Sequence, residues 1–498
     1  MRRITTLAVI TALLLAATTM SARAATITVT NKNDSGPGSL RQALANANNG
    51  DTINFAVTGA ISLTSGGLGI TKNVTISGPG ANQLAVNGNQ ALFVFGVFPQ
   101  RTVSISGLSI RNAQLGVYNN QGTVSVSNCV LSGNSSGVYN YAGGYGSGAS
   151  TTVTNSIIIN NSGTGAFNRL PFDDGGGCAC MTITNSTISN NADDGIANFG
   201  FIFANGTASL TVVNSNVSDN DGAGIRNDGC EGSAGATILS TTVSGNSAGG
   251  VTSLGLCGFF GHAAVTITDC TISGNSANGG IRSETSTLTV ANSTISGNSS
   301  GDSGGGIWAS SYLDGPHVSI VNSTISGNSA GTSGGGIYTL QSSLHLANST
   351  ITGNSAGSGG GIYNDGGQFS YGVMDISNTI LNAGASGENI FNSGGTVTSD
   401  GYNLSSDDGG GYLTGPGDQI NTDPLLGPLQ DNGGRTLTHA LLHGSPAIDA
   451  GDPNFTPPPF HDQRGLARVF HGRLDVGSFE AQPTPRPRPT PAPRPTPR

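Results

Sequence analysis

The sequence predicts an all-β chain wound as a parallel β-helix, and three observations predict it. A unit of NSTISGNSAGTSGGGIY, from Asn322 to Tyr338, recurs almost letter for letter at Asn292 and Asn348. Weaker copies start at Gly107, Asn128, Asn155, Asn185, Asn214, Ser240, Asp269 and Asn378, with steps from 21 residues (Gly107 to Asn128) to 30 (Asn292 to Asn322). Self-similarity at that period marks a stacked array. Within a unit, β-branched residues alternate with Thr and Ser, as in Val265-Thr-Ile-Thr and Thr271-Ile-Ser, which reads as short strands with one buried face. Charged residues are only 9% of the chain and Gly is 79 of 498, as a surface of Ser, Thr and Asn on tight turns requires. One such unit cannot bury its own apolar face, but units stacked on one another can.

Each element of a coil follows from the columns. The apolar residue that closes a unit (Val117, Val138, Ala166, Ile196, Ile225 and onward to Ile390) forms an inward ladder. The residue after it is expected outside, and there stand Tyr118, Tyr139, Phe167, Trp308, Tyr338, Tyr363 and Phe391. One further on, Asn119, Asn140, Asn168, Asn198, Asn227, Asn364 and Asn392 are placed to bond from coil to coil. Eleven coils at about 4.8 Å per strand give a rod about 50 Å long.

The ends differ from the repeats. Residues 1–24 read as a secretory signal: Arg2 and Arg3, an apolar run from Leu7 to Thr19, and Ala22-Arg-Ala24 as the cleavage site. The run is too short to span a membrane as a helix, and no later stretch is long enough. Residues 25–57 form a cap. A strand from Thr26 precedes an amphipathic helix in which Ser39 and Gln42 make a capping box and Leu40, Ala43, Leu44 and Ala47 share a face. An open solenoid end exposes core and strand edge, so a cap is needed. Residues 58–400 are the coils, 401–481 a second composition, and 482–498 a Pro/Arg-rich tail expected to be extended and disordered.

These motifs carry resemblances. GSLRQA at Gly38, followed by GDTINF at Gly50, resembles the CSLREA-type start of secreted bacterial β-helix proteins, with Gly for the family's Cys and Gln for its Glu. The GGGIY and NSTISGN spacing resembles the repeats of polymorphic outer-membrane proteins and the pectin-lyase-like superfamily. That resemblance implies a right-handed helix, the hand preferred by parallel crossovers in general. Asp423-Pro-Leu-Leu-Gly, Gly444-Ser-Pro-Ala-Ile-Asp-Ala-Gly-Asp, Asp462-Gln-Arg-Gly and Asp475-Val-Gly-Ser-Phe-Glu resemble the choice-of-anchor Q domain of bacterial surface proteins. His443 stands where that family commonly has Pro. The resemblance implies secretion and display at the cell surface, with no chemistry attached.

Candidate chemistry lies in four places. Asp193, Asp194, Asp219, Asp221 and Asp228 fall on consecutive coils, where paired carboxylates could serve glycoside hydrolysis or hold Ca²⁺. Asp193-Asp194-Gly-Ile resembles the Asp-Asp segment of polygalacturonases, without their following Gly-His-Gly. The bland reading is turn aspartates. Trp308, Tyr338 and Tyr363 follow the inward Ile on successive coils, as a sugar-packing ribbon or as a self-stacked ladder. Cys178, Cys180, Cys230 and Cys257 are disulfide candidates in an exported chain, with Cys230–Cys257 the first pairing. Cys129 and Cys270 share one column five coils apart and are expected as buried thiols. His439 and His443 stand i, i+4, a spacing open to a helix, with Asp449 nearby; a metal site is the sharper reading and residues of the anchor-associated consensus the bland one. No metal or other cofactor is expected to be required, and nucleic acid is not an expected partner at a pI near 5.1. A polysaccharide or cell-envelope polymer is. The leading expectation is an exported, adhesin-like or envelope-structural rod, followed by a carbohydrate-binding module and then a polysaccharide hydrolase or lyase.

Overall fold

The computed structural model describes residues 24–143, 148–171, 177–201, 206–229, 232–255, 261–311, 317–369, 372–470 and 472–482. Three parallel sheets of 15, 14 and 13 strands run side by side along one axis: sheet A from Thr26–Val29 to Thr396–Gly401, sheet B from Gly59–Ser62 to Leu404–Ser405, and sheet C from Leu68–Ile70 to Ile390–Ser393. Each coil visits A, B and C in turn. Successive coils pair in register, as Val117 with Val138 and Val138 with Ala166.

The repeat starts are the corners between sheets A and B. Every one of the eleven has positive φ, from Gly107 (64°) through Asn128 (52°), Ser240 (48°) and Asp269 (55°) to Asn378 (46°). Asn tolerates this left-handed conformation at little cost, which is why it opens most units. The expected inward ladder is buried throughout, Val117, Ile196, Ile281 and Ile337 among it. Between the aliphatic columns run polar ones. Asn119, Asn140, Asn168, Asn198 and Asn227 each pass a side-chain hydrogen bond to the next at 2.6–2.8 Å.

A second asparagine column was not singled out from the sequence. It is formed by the Asn two residues past the end of successive sheet B strands: Asn134, Asn161, Asn191, Asn220, Asn246, Asn275, Asn298, Asn328 and Asn354. Nδ2 of each donates to Oδ1 of the next at 2.9–3.2 Å, and that oxygen also accepts the backbone N–H of the preceding Asn. All nine are buried. Burial is possible because every amide finds partners in the coils above and below.

The helix over Leu40–Asn46 turns Leu40 and Ala43 into the end of the core. Ser39 accepts from the Gln42 N–H, but the Gln42 side chain donates to Asn46 Oδ1. Only half of the expected capping box forms, because the Ser39 N–H is already bonded to Gly36 O.

After Ser405 the chain leaves the coil. Leu426–Gln430 and Thr438–Leu441 pair antiparallel, and the segment up to residue 482 lies along the outer face of sheet B. Its seat is the Asn and Thr of the NSTI units. Gln463 Nε2 donates to Thr294 Oγ1 (2.9 Å) and Ser293 O (3.2 Å), and Gln463 Oε1 accepts from Thr324 Oγ1 (2.7 Å). Ser478 N donates to Thr350 Oγ1, and Arg468 Nη2 to Asn348 Oδ1. Thr294, Thr324 and Thr350 are thereby buried, whereas Thr242, in the same column upstream, is exposed. The His439/His443 helix does not exist. His439 lies in the strand Thr438–Leu441, with Nδ1 on Gly427 O (2.7 Å) and Nε2 on Ser326 Oγ (2.9 Å).

Candidate functional site

Each sheet presents a different outer face. Sheet B is covered by the C-terminal segment over its last coils. Sheet A carries one unbroken column of hydroxyl side chains over twelve paired strands, from Thr26, Thr52 and Thr75 through Thr152, Thr182 and Thr211 to Thr289 and Ser319. Sheet C carries the aromatics.

The column holding Trp308, Tyr338 and Tyr363 is as expected, and the structure shows how its rings meet. Ring centroids lie 6.4 Å apart for Trp308–Tyr338, 5.3 Å for Tyr338–Tyr363 and 4.9 Å for Tyr363–Phe391, with planes 15°, 30° and 29° apart. The faces are turned toward one another, so the ribbon offers ring edges and Tyr hydroxyls to a ligand. Arg282 lies over the far face of Trp308, 4.0 Å from its centroid, and is held by Glu284 at 3.3 Å. Tyr338 donates its hydroxyl to Asp365 Oδ2 at 3.0 Å, and burial with that acceptor raises its phenol. Phe391 is 37% exposed at the C-terminal end of the run.

A second run lies on the same face: Tyr139–Phe167 at 5.0 Å and Phe167–Phe199 at 5.2 Å, both stacked, with Arg226 over Phe199 and paired to Asp228 at 3.1 Å. Sequence reasoning placed Tyr139 and Phe167 in the outward column but did not single them out. The column itself was the signal. The two runs are therefore flanked by guanidiniums on their facing ends, with Thr252 between them.

The five acids divide. Asp219 stands at a positive-φ corner (55°) whose column is otherwise Gly or Asn, so its backbone explains it. Asp228 lies at the end of a sheet C strand with Arg226. Asp221 is exposed. Asp193 accepts from Thr164 Oγ1 at 3.1 Å, and Asp194 Oδ1 accepts the Ala223 N–H at 2.8 Å. Burial, with a smaller push from Asp193, raises the Asp194 carboxyl to about 6. Asp193 and Asp194 are thus a neighbouring pair of which one member keeps its proton up to about pH 6, above the usual carboxylate range. Among the described residues no three His, Cys, Asp or Glu side chains are placed to hold a cation.

A family model described as "Right handed beta helix region" matches residues 200–373 and 261–422. The chain is a right-handed parallel β-helix. No curated protein matches its sequence. Among solved structures, this β-helix is similar to the mannuronan C-5 epimerase AlgE6 A-module of Azotobacter vinelandii, at 14% identity over 74% of this chain and 97% of that one, TM-score 0.45. It is also similar to the catalytic unit of a GH87 α-1,3-glucanase from Streptomyces thermodiastaticus, at 17% identity over 74% and 69% of the two chains, TM-score 0.45. The third is pectate lyase Pel9A, at 15% identity over 92% and 96%, TM-score 0.36.

The cysteines of the β-helix fall into separate settings. Cys129 and Cys270 are buried thiols in the column otherwise filled by Ser156, Ser186, Ser215 and Thr241. Burial pushes them up to about 11 and about 12. Cys178 and Cys180 are bonded to each other. The expected Cys230–Cys257 pairing lies outside the described residues, as do the signal segment through residue 23 and the tail from residue 483. No described helix is long and apolar enough to cross a membrane.

Proposed function

We propose that this β-helix is an exported, surface-associated rod, adhesin-like or envelope-structural, that works by holding a long, rigid face in place. The supporting observation is the coil-to-coil bonding of nine buried asparagines, which ties nine successive coils of the rod together. In this reading residues 1–24 are a signal peptide and residues 25–57 a CSLREA-like cap. Residues 401–481 are a choice-of-anchor Q-like region, the Pro/Arg-rich tail is a spacer, and the protein is displayed outside the cell.

A second reading is favoured by the sheet C face. Ring edges, Tyr hydroxyls and the two guanidiniums between the runs form a strip suited to a polysaccharide, with Trp308, Tyr338 and Tyr363 in its C-terminal half. A third, polysaccharide hydrolysis or elimination at Asp193 and Asp194, draws on the raised Asp194 carboxyl.

One screen separates the three. The mature chain, residues 25–498, is assayed for retention on immobilised plant and bacterial polysaccharides and for product release, with and without Ca²⁺. The rod reading expects neither retention nor product release. Retention lost in Trp308→Ala assigns a binding module, and product release lost in Asp194→Asn assigns an enzyme.

A further inference from the structure

The strand Cys178–Thr184 belongs to sheet A, held in register between Ala149–Thr154 and Thr207–Val213. Its alternation turns Ala179, Met181 and Ile183 inward and leaves Cys178 and Cys180 on the outer face, both partly exposed. Cys180 lies in register with Ser150 and Ser209, and Cys178 with Thr207. The Cys178–Cys180 bond spans a sequence separation of 2, so it encloses Ala179 alone.

Such a bond has little to do for the fold. A disulfide stabilises chiefly by closing a loop in the unfolded chain, and the effect shrinks with the loop. This loop is the shortest that strand alternation allows. Backbone pairing on both sides already fixes the strand, and the bond joins no second element to it. What distinguishes the pair is chemistry: two sulfurs on one exposed strand face, on a column of hydroxyls, reachable by an external thiol.

We propose that Cys178 and Cys180 form a two-electron thiol–disulfide exchange site that takes electrons from an external thiol. A thiolate RS⁻ attacks one sulfur of the pair. The Cys178–Cys180 bond breaks, a mixed disulfide forms, and the electron pair leaves on the other cysteine as a thiolate. A second RS⁻ attacks the R-bearing sulfur, giving RSSR and the Cys178/Cys180 dithiol once two protons are taken up from water. The reverse sequence, driven by RSSR, restores the bond. Because the resolving thiolate sits on the same strand face, the mixed disulfide closes again rapidly. The site therefore behaves as a couple and not as a covalent tether. Cys129 and Cys270 take no part, being buried and protonated.

The test uses the full mature chain under native conditions in a series of glutathione to glutathione-disulfide ratios. Each sample is quenched by alkylation, and the peptide holding Cys178 and Cys180 is mapped separately from those holding Cys230 and Cys257. The expected result is a complete passage of this pair from oxidised to reduced across the series, with the melting midpoint shifted by less than about 2 °C. In Cys180→Ser, glutathione disulfide should leave one stable glutathione on Cys178, since the resolving sulfur is gone. The proposal is overturned if the pair stays oxidised until urea unfolds the chain, or if reduction lowers the midpoint as loss of a structural cross-link does. It is equally overturned if only the Cys230 or Cys257 peptides respond. Ser already occupies the neighbouring positions 150 and 209, so the variant keeps the surface it replaces. Should it fail to fold, the ratio series on the unaltered chain decides alone.

Discussion

Asn227 Nδ2 donates to Ser253 Oγ at 3.2 Å, and there the first asparagine column of the rod stops. The coils above it offer Ser253, Ser283 and Ala309 in turn, with Ser253 bonded sideways to Ser286 Oγ at 2.6 Å. The column resumes only at Thr339, whose hydroxyl meets Asn364 Oδ1 at 3.0 Å. Over this interval the second column, through Asn246, Asn275 and Asn298, is the asparagine tie that continues.

Asn275→Ala should therefore lower stability by about 3 kcal/mol, since it strands the Asn246 N–H inside the core and takes from the Asn298 oxygen one of its two donors. Asn185→Ala, at an exposed left-handed corner, should cost only about 1 kcal/mol, the strain of an Ala at positive φ. Urea unfolding of both variants measures the difference. Backbone amides near Ser253 to Ala309 should exchange with solvent before those flanked by both columns.

Gly336→Ala tests the glycine run of the repeat. A Cβ there would lie 2.6 Å from Gly361 O and 3.1 Å from Asn354 Nδ2, which is backbone on one side and the asparagine column on the other. Neither can yield, so the loss should exceed about 2 kcal/mol and appear as a fall in the thermal midpoint.

Gln463→Ala should release the C-terminal segment from sheet B. The buried amide joins Thr294, Thr324 and Thr436 at once, and its loss takes one hydrogen bond from each of those hydroxyls. Limited proteolysis should then cut between residues 424 and 482 at protease levels that leave the native chain intact, with the coils upstream unaffected.

Stability should decline as pH rises through the neutral range. Glu480 is buried beside Asp475, with Asp462, Arg464 and Arg468 around it, and burial raises it from 4.5 to about 8. The folded chain keeps a proton that the unfolded chain releases near 4.5. Its contribution is full below 4.5 and is lost as pH climbs toward about 8. Asp475, also raised by burial, acts in the same direction. Glu480→Gln should flatten the melting midpoint between pH 6 and 9, and an unchanged slope would assign it elsewhere.

The fold was readable because a solenoid writes its geometry into columns. The start of each unit proved to be a left-handed corner, the closing aliphatic the core, and the next residue the outer face. The second asparagine column was overlooked because an Asn that follows Gly, Asn or Asp reads as a turn, and only stacking shows that it is interior. The orientation of Trp308 against Tyr338 was not legible either. Spacing places rings in a column, but side-chain torsions decide whether faces or edges look outward. Asp193 and Asp194 were visible as a pair, yet which of them is buried depends on the Ala223 N–H of the next coil. The His439/His443 helix failed because i, i+4 spacing does not distinguish a helix from a strand followed by a turn.

The seating of the C-terminal segment makes it a gauge. Thr436 bonds the unit that opens at Asn292, Gln463 spans Thr294 and Thr324, Ser478 meets Thr350, and Gly477 meets Asn378. A coil inserted or deleted upstream of Asn292 only lengthens or shortens the rod. The same change between Asn292 and Asn378 would put every one of these partners out of step. Variation in reach is thus confined to the part of the molecule nearer the N terminus, while the far end is held to a fixed count.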